Sequence, residues 1–401
     1  MKIGLIGFGN IGKGVEELVF KQRACIKKRF GQDLSIHSIL IKDASKKREA
    51  FDKNIIFTDR FEDLLENEEI EALVEVTATK EEAFDYISRG LRKGKHIITA
   101  NKAVVSKYFE EISALADQVG KGFLYEASVG GGVHIIKSIH EDLHLNELKY
   151  VRGILNGTCN FILSKLEDEG LDYAEVLKEA QDLGYAEPDP SADVDGIDTQ
   201  RKTRILSSLI MGGKVDEGSI DAFGISGISG KDIKIFKEKS LSVKLIGEGL
   251  IEEGKYFATV MPTLFPKGAI FSNIKAATNM ISYYGNNIGE VSFVGPGAGR
   301  YPTADALMRD IVDAMQGSYI AGDPLGGEKI EISNGQLSAV YYLRVPKALE
   351  EKALDLADEK YDLGDDIAIF TKEMRLEAVL DLIKGLKKED FFLAKLLKED
   401  K

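Results

Sequence analysis

The chain has 401 residues, 44% hydrophobic and 30% charged, with 40 glycines against 8 prolines and a formal net charge of −13 from 53 basic and 66 acidic side chains. That length exceeds what one core usually holds, so two or three domains are expected; the acidic balance argues against a nucleic-acid binder, which needs a basic face for phosphates. Cys25 and Cys159 are the only cysteines, in neither a C-x-x-C nor a metal-like spacing, and are expected as reduced thiols. Met1 leads straight into a strand pattern, without a signal peptide's basic and apolar segments. No apolar run approaches the ~20 residues that span a bilayer, so no membrane association and a cytoplasmic location are expected.

The chain up to about residue 130 alternates short apolar runs with helical patterns. Strands are predicted at 2–6, 34–41, 72–76, 96–99 and 123–126, and helices at 11–30, 81–93 and 109–119. This alternation predicts a parallel sheet of Rossmann type, covered by helices on both faces. The pattern then changes: a strand at 147–155, helices at 161–167 and 173–181, a Pro/Asp-rich loop at 187–195 and a helix to about 210. Residues 242–294 read mostly as strand, with turns at Glu253-Gly254 and Asn286-Asn287, giving an α+β region with an extended sheet. A helix follows at 301–315, then strand 339–345, helix 347–359, strand 367–371 and helix 376–386, which read as a small appended module.

Gly7-Phe8-Gly9-Asn10-Ile11-Gly12 follows the first strand and opens a helix, which is G-x-G-x-x-G in its required context. Gly7 permits the tight turn, Gly9 clears a side chain from a pyrophosphate, and Gly12 lets helix and strand pack closely. The helix N-terminus offers free N–H groups and a partial positive charge. A dinucleotide site is expected. The second strand ends Ile41-Lys42-Asp43-Ala44-Ser45-Lys46-Lys47-Arg48. An acidic residue there would hold the ribose hydroxyls of NAD, and a basic cluster the 2′-phosphate of NADP. Both types are present, and a solvated helix start explains Lys46, Lys47 and Arg48 equally well; the reading leans to NADP.

Four further segments narrow the chemistry. Thr99-Ala100-Asn101-Lys102 ends a strand of the parallel sheet, where ligand crevices open. The others are Glu126-Ala127-Ser128-Val129-Gly130-Gly131-Gly132, Gly153-Ile154-Leu155-Asn156-Gly157-Thr158-Cys159-Asn160, and Gly184-Tyr185-Ala186-Glu187-Pro188-Asp189-Pro190 leading through Asp193 and Asp198 to Arg201-Lys202. In this order and behind this N-terminal half, they resemble the homoserine dehydrogenases over about residues 1–320. The resemblance implies an NAD(P)-dependent interconversion of L-aspartate 4-semialdehyde and L-homoserine, a step towards threonine and methionine. It implies an acid–base role for Lys202, a second active-site lysine at Lys102, and Glu187, Asp193 and Asp198 around the substrate amino acid. It puts the cofactor against the glycine motif, Lys42, Thr77, Thr99, Lys102, Gly184 and Gly299, and a monovalent cation (Na⁺ or K⁺) at Glu126 with the carbonyls of Val129, Gly131 and Val133. It also implies a homodimer or higher homo-oligomer.

The residue types suit that chemistry. Glu187 can pair with the substrate ammonium and a lysine with its carboxylate. Asp198 and Lys202 are four apart on a predicted helix and so share a face. A charged lysine stabilises a developing alkoxide and then protonates it. A neighbouring carboxylate favours the charged form, so homoserine oxidation is expected to need alkaline conditions. Plainer readings exist: an i,i+4 ion pair is often only a surface pair, Asp189 and Asp193 can serve as loop or cap residues, and the glycines at 130–132 can be a helix-entry turn. Cys159 reads as a small buried residue, and the five histidines show no zinc pattern.

The expected organisation is a Rossmann domain at 1–130 joined by a helix at 300–320, a catalytic and dimerisation domain at 131–299, and a module at 336–401. That module resembles an ACT-type β-α-β-β-α-β unit that lacks its two middle strands, and a structural appendage is favoured over a working threonine sensor. Other two-domain NAD(P) oxidoreductases, such as aspartate dehydrogenase or dihydrodipicolinate reductase, share the N-terminal half but not the segment from Gly184 to Lys202. A non-catalytic NAD(P) sensor would have no reason to combine Lys102, Glu187, Asp198 and Lys202.

Overall fold

The computed structural model describes residues 1–46, 48–319 and 327–397; Lys47 of the basic cluster lies outside them. The chain divides into two compact units, one of Met1–Leu145, Gly212–Lys214 and Gly295–Lys329, the other of Asn146–Met211, Val215–Val294 and Ile330–Lys401.

In the first unit, strands β1 (Lys2–Ile6), β2 (Ser35–Leu40), β3 (Ile56–Thr58), β4 (Ala72–Glu75), β5 (His96–Thr99) and β6 (Phe123–Leu124) form one parallel sheet in the order β3-β2-β1-β4-β5-β6. This is the doubly wound order, in which the carboxyl ends of β1 and β4 flank the point where the winding reverses. Ile3, Leu5, Ala72, Leu73 and Val74 are fully buried, as strands covered on both faces require. Helices Asn10–Phe30 and Arg300–Gln316 share one apolar cluster with these strands through Val15, Val19, Leu307 and Ile311. Each such side chain contributes on the order of 2 kcal/mol.

Three details depart from the pattern reading. The helix expected at 109–119 begins at Lys102 and breaks at Tyr108 (φ −122°, ψ 25°); its first turns carry the β-branched pair Val104-Val105, which weakens the sequence signal but is fully buried. β3 and the short helix Glu62–Leu65 gave no clear periodicity. The helix expected at 300–320 ends at Gln316, where Gly317 turns left-handed (φ 67°), and residue 320 lies outside the described residues.

The second unit is built on a mixed sheet. Its strands are β7 (Leu148–Ile154), β8 (Asp221–Ala222), β9 (Leu241–Glu252), β10 (Lys255–Pro266), β11 (Thr278–Gly285), β12 (Gly289–Pro296), β13 (Ser338–Pro346), β14 (Ala357–Asp362), β15 (Asp366–Thr371), β16 (Met374–Arg375) and β17 (Phe392–Leu396). The main path runs β12-β11-β7-β9-β10-β17-β13-β15-β14. Helix Ile197–Met211 lies against β9, because Gly247 and Gly249 leave no side chain where Thr203 and Ser207 approach. That helix is buried nearly all round, Asp198 and Lys202 included.

The tail corrects an expectation. Its order is β13, helix Glu350–Leu356, β14, β15, the two-residue β16, helix Leu376–Ile383, β17, so the longer strands follow a β-α-β-β-α-β alternation and neither middle strand is missing. β14 was hidden inside the helix expected at 347–359. Its sequence, Ala-Asp-Glu-Lys-Tyr-Asp, is charged and largely exposed, as suits an edge strand that must not recruit another chain, and so shows no period of two. β17, not foreseen, pairs antiparallel with β13 and parallel with β10.

Candidate active site

The first unit carries the nucleotide motif as expected. Gly7 has φ 102°, and a Cβ on Gly12 would collide with the Gly7 carbonyl oxygen, so both glycines are needed to bring turn and helix together. Gly9 is different: a Cβ there would meet nothing within 4 Å. The fold does not demand that glycine, and the space it leaves lies at the N-terminus of helix Asn10–Phe30, whose first turn holds no acidic residue. Phe8 is buried edge-on against Phe57 at 5.2 Å; Asn10 is exposed and Ile11 partly so.

At the ends of β4 and β5 the structure joins two predicted residues through one that was missed. Glu75 is fully buried. Its carboxylate accepts the Thr77 N–H (2.6 Å) and hydroxyl (2.5 Å) and the Thr99 hydroxyl (2.7 Å). Burial pushes its carboxyl above the ordinary value, against the pull of these donors. Asn101 donates to the Thr79 carbonyl at 2.6 Å and caps the helix that starts at Lys102 by accepting the Val104 N–H. Lys102, half-buried, thus stands at a fixed helix start. A strand-end glutamate followed by threonine two residues on was the available signal.

At the end of β2, Lys42, Lys46 and Arg48 are exposed. Asp43 accepts both the backbone N–H (3.0 Å) and the hydroxyl (2.5 Å) of Ser45, and these bonds hold its carboxyl below the ordinary range.

Glu126 is buried in the loop after β6. Its carboxylate accepts the N–H groups of Ile135 (2.7 Å), Ile136 (3.0 Å) and Lys137 (2.8 Å), capping helix Ile136–Leu143. Burial raises its carboxyl, and raises that of Asp310, which accepts the Glu126 N–H at 3.0 Å, further still. Among the described residues, no hydrogen bond ends on the carbonyl oxygens of Val129, Gly131 or Val133. Gly131 (φ 57°) passes so close to the Gly297 carbonyl that no Cβ fits. Gly299 (φ 117°) caps helix Arg300–Gln316, and Arg300 reaches Glu17 at 2.8 Å.

In the second unit, Lys202 is the centre of a buried polar cluster. Its Nζ donates to Asp198 Oδ2 at 2.7 Å and to the Leu155 carbonyl at 2.6 Å, with the two side chains only 10% and 8% exposed. Asn156, quoted in the sequence but given no role, ties the cluster together. Its amide donates to Asp193 Oδ1 (2.7 Å) and Asp198 Oδ2 (3.0 Å), while its oxygen accepts the Cys159 N–H (2.8 Å) as cap of helix Gly157–Glu169. Asp193 therefore faces the cluster and is not merely a loop residue. Cys159 is buried and donates to the Asp193 carbonyl at 3.2 Å, and burial pushes its thiol well up. Glu187 and Gly184 are exposed in the loop after helix Tyr173–Asp182. Gln181 holds that loop through the Glu187 and Pro188 carbonyls.

The chain matches the family model "Homoserine dehydrogenase, NAD binding domain" at residues 7–126 and "Homoserine dehydrogenase" at residues 135–312. It is 35% identical to the homoserine dehydrogenase of Bacillus subtilis over 389 residues, 96% of this chain and 88% of that one. A crystal structure of a homoserine dehydrogenase from Thiobacillus denitrificans superposes with a TM-score of 0.88 at 28% identity, covering 99% of this chain and 98% of the other. A hyperthermophilic archaeal homoserine dehydrogenase in complex with NADPH gives 0.66 at 25% identity, over 79% and 98%. With no helix among the described residues long and apolar enough to cross a membrane, an NAD-binding unit of Rossmann type and a buried lysine–aspartate centre, the chain belongs to the homoserine dehydrogenase family, oxidoreductases that interconvert L-aspartate 4-semialdehyde and L-homoserine.

Proposed function

We propose that Lys202 is the acid–base group of this reaction, held by Asp198 and positioned through Asn156. Bound NAD(P)H supplies the hydride that reduces the aldehyde carbon. Lys202 Nζ, charged beside Asp198, stabilises the alkoxide that develops on the substrate oxygen and donates its proton to give the hydroxyl; solvent then reprotonates the amine. Exposed Glu187 takes the substrate ammonium, Asp193 and Asp198 are substrate-binding residues, and Lys102 is the second active-site lysine. In the oxidative direction Lys202 must first lose its proton, so homoserine oxidation gains rate towards alkaline pH.

The cofactor reading is NADP, with NAD as the alternative. Asp43 is engaged by Ser45, while Lys42, Lys46 and Arg48 remain open to solvent, which favours a 2′-phosphate over a free ribose hydroxyl. Its contacts are Gly7, Phe8, Gly9, Asn10, Ile11, Gly12, Lys42, Thr77, Thr99, Lys102, Gly184 and Gly299. A Na⁺ or K⁺ ion suits the carbonyls of Val129, Gly131 and Val133, which carry no hydrogen bond among the described residues; Glu126 contributes the lone pairs left by its three N–H bonds. A cytoplasmic homodimer is the proposed working form, with β12, alternately exposed at the sheet edge, as the side offered to a second copy. The domain reading is nucleotide binding at 1–130 with the helix of 300–320, catalysis and pairing at 131–299, and an ACT-like module at 336–401.

The single observation behind this reading is the buried Lys202–Asp198 pair at 2.7 Å. Its test is absorbance at 340 nm with L-homoserine and NADP, then NAD, at alkaline pH, beside Lys202→Ala. Reduction of NADP that vanishes in the variant is expected; wild-type protein that binds cofactor yet leaves it oxidised with homoserine would sink the reading.

A further inference from the structure

The second unit holds another charged cluster, remote in sequence from Lys202 and unused by the reaction. Arg152 on β7 and Glu248 on β9 are cross-strand partners, and Lys395 on β17, beyond β10, reaches Glu248; each is 8% exposed or less. Lys395 is in tight contact with Glu248 and satisfies it. Burial alone would raise the Glu248 carboxyl, but Lys395 and Arg152 outweigh it and hold it below the ordinary value.

Arg152 is not satisfied in return. Its guanidinium lies over the Tyr150 ring at 3.7 Å and reaches Glu248 only at 3.4 Å, in a geometry that leaves Nε without a hydrogen bond. No other hydrogen bond from this side chain is found among the described residues. A guanidinium has five N–H donors in a rigid fork, and the buried Nε–H of this one makes no hydrogen bond, which is costly. Arg152 lines a cavity of about 680 Å³ together with Glu248, Lys395, Lys149, Tyr284, Glu373 and the start of β13. Exposed Glu252 and Glu253 stand at its rim.

We infer that this cavity is a binding site for a small monocarboxylate, taken in bidentate fashion by the Arg152 fork. A planar carboxylate matches the fork, and the tyrosine face below restricts its approach to one plane. The rim acids disfavour a second negative charge on the ligand, and they offer a partner to an ammonium, so the carboxylate can belong to a simple acid or to a zwitterion. The site joins β7 and β9 of the middle sheet to β13 and β17 of the tail, so its occupancy would fasten the tail to the sheet that carries the catalytic helix.

The experiment is calorimetric titration of the full chain with acetate, glycine, succinate and inorganic phosphate, using wild type, Arg152→Gln, Arg152→Lys and Lys202→Ala. Acetate or glycine is expected to bind wild type and Lys202→Ala alike, one per chain. Arg152→Gln should weaken binding about tenfold or more, the loss of a charge-assisted pair, and Arg152→Lys, which keeps the charge but not the fork, should weaken it too. Tighter glycine than acetate identifies a zwitterion, and the reverse a simple acid. Binding that survives Arg152→Gln, binding lost in Lys202→Ala instead, or phosphate or succinate bound more tightly would each overturn the inference. So would no binding of any probe, above all if Arg152→Gln changed the sedimenting mass, since the fork would then serve a carboxylate of a second copy.

Discussion

Two buried carboxylates in each unit are held by different means. In the first, Glu75 and Glu126 are met by hydroxyl and backbone N–H donors, and burial prevails, raising both carboxyls. In the second, Asp198 and Glu248 are met by lysines, Lys202 and Lys395. Neutral donors fix a shape: they hold the strand ends and the helix entry in place, and no proton need move. A lysine counter-ion holds a charge that can be passed on. On the proposed reading, the nucleotide end is then a cradle and the Lys202 end the place where a proton changes hands.

Substitutions can break or sharpen that contrast. The largest effect is expected from Lys202→Ala, which should lower kcat by about 10²–10⁴ with cofactor affinity intact; a comparable loss of NADP binding, followed by fluorescence, would show that the two ends are not separable. Next is the glycine pair. Gly12→Ala must displace the Gly7 carbonyl and should cost about 1–3 kcal/mol of stability together with cofactor affinity. Gly9→Ala meets open space and should lower cofactor affinity while the melting temperature stays put. Equal melting temperatures for both variants would refute the steric argument.

Asn156 allows a finer separation. Asn156→Ser keeps an oxygen that can cap helix Gly157–Glu169 but removes the amide that bridges Asp193 and Asp198; Asn156→Ala removes both. The two should share a roughly tenfold fall in kcat and a displaced pH profile, an estimate for losing one hydrogen bond to a charged group. Only Asn156→Ala should also lose about 1 kcal/mol of stability. An unmoved pH profile would reduce Asn156 to a cap. The smallest effect concerns acid stability. His140, bonded to the Tyr125 hydroxyl at 3.1 Å, is pushed down to about 4 from 6.5 by burial and then by His144. The unfolded chain therefore takes up the proton first, and stability present above pH 6.5 is lost as pH falls towards 4. Unfolding free energies from urea titration at pH 7 and 5 should differ by about 1–2 kcal/mol more in wild type than in His140→Gln.

What could be read from the sequence follows from how local each signal is. The G-x-G-x-x-G turn spans six consecutive residues and its helix follows at once, so motif and structure coincide. Lys202 and Asp198 were legible through the resemblance of the segment that carries them, and one helical turn between them added that they share a face. Glu75 was not, because its donors come from Thr77 on its own strand end and Thr99 on the next. Asn156 was quoted but not understood, since it acts on carboxylates 37 and 42 residues away. β14 shows the same limit from the other side. Its polar residues carry no strand pattern, and pairing with β15 overrides the helical propensity that they show alone.

The placing of β17 has a consequence for how the molecule is made. Residues 392–396 fill the position between β10 and β13, so during synthesis some 120 residues of translation separate β10 from the neighbour it will finally have. Until β17 emerges from the ribosome, β13 presents a naked edge and β10 is covered on that side at Thr259 and Val260 by the short β8, an arrangement open to pairing with another chain. Nascent chains stalled before residue 392 should be the aggregation-prone species, and chaperone demand should fall sharply once that strand is released.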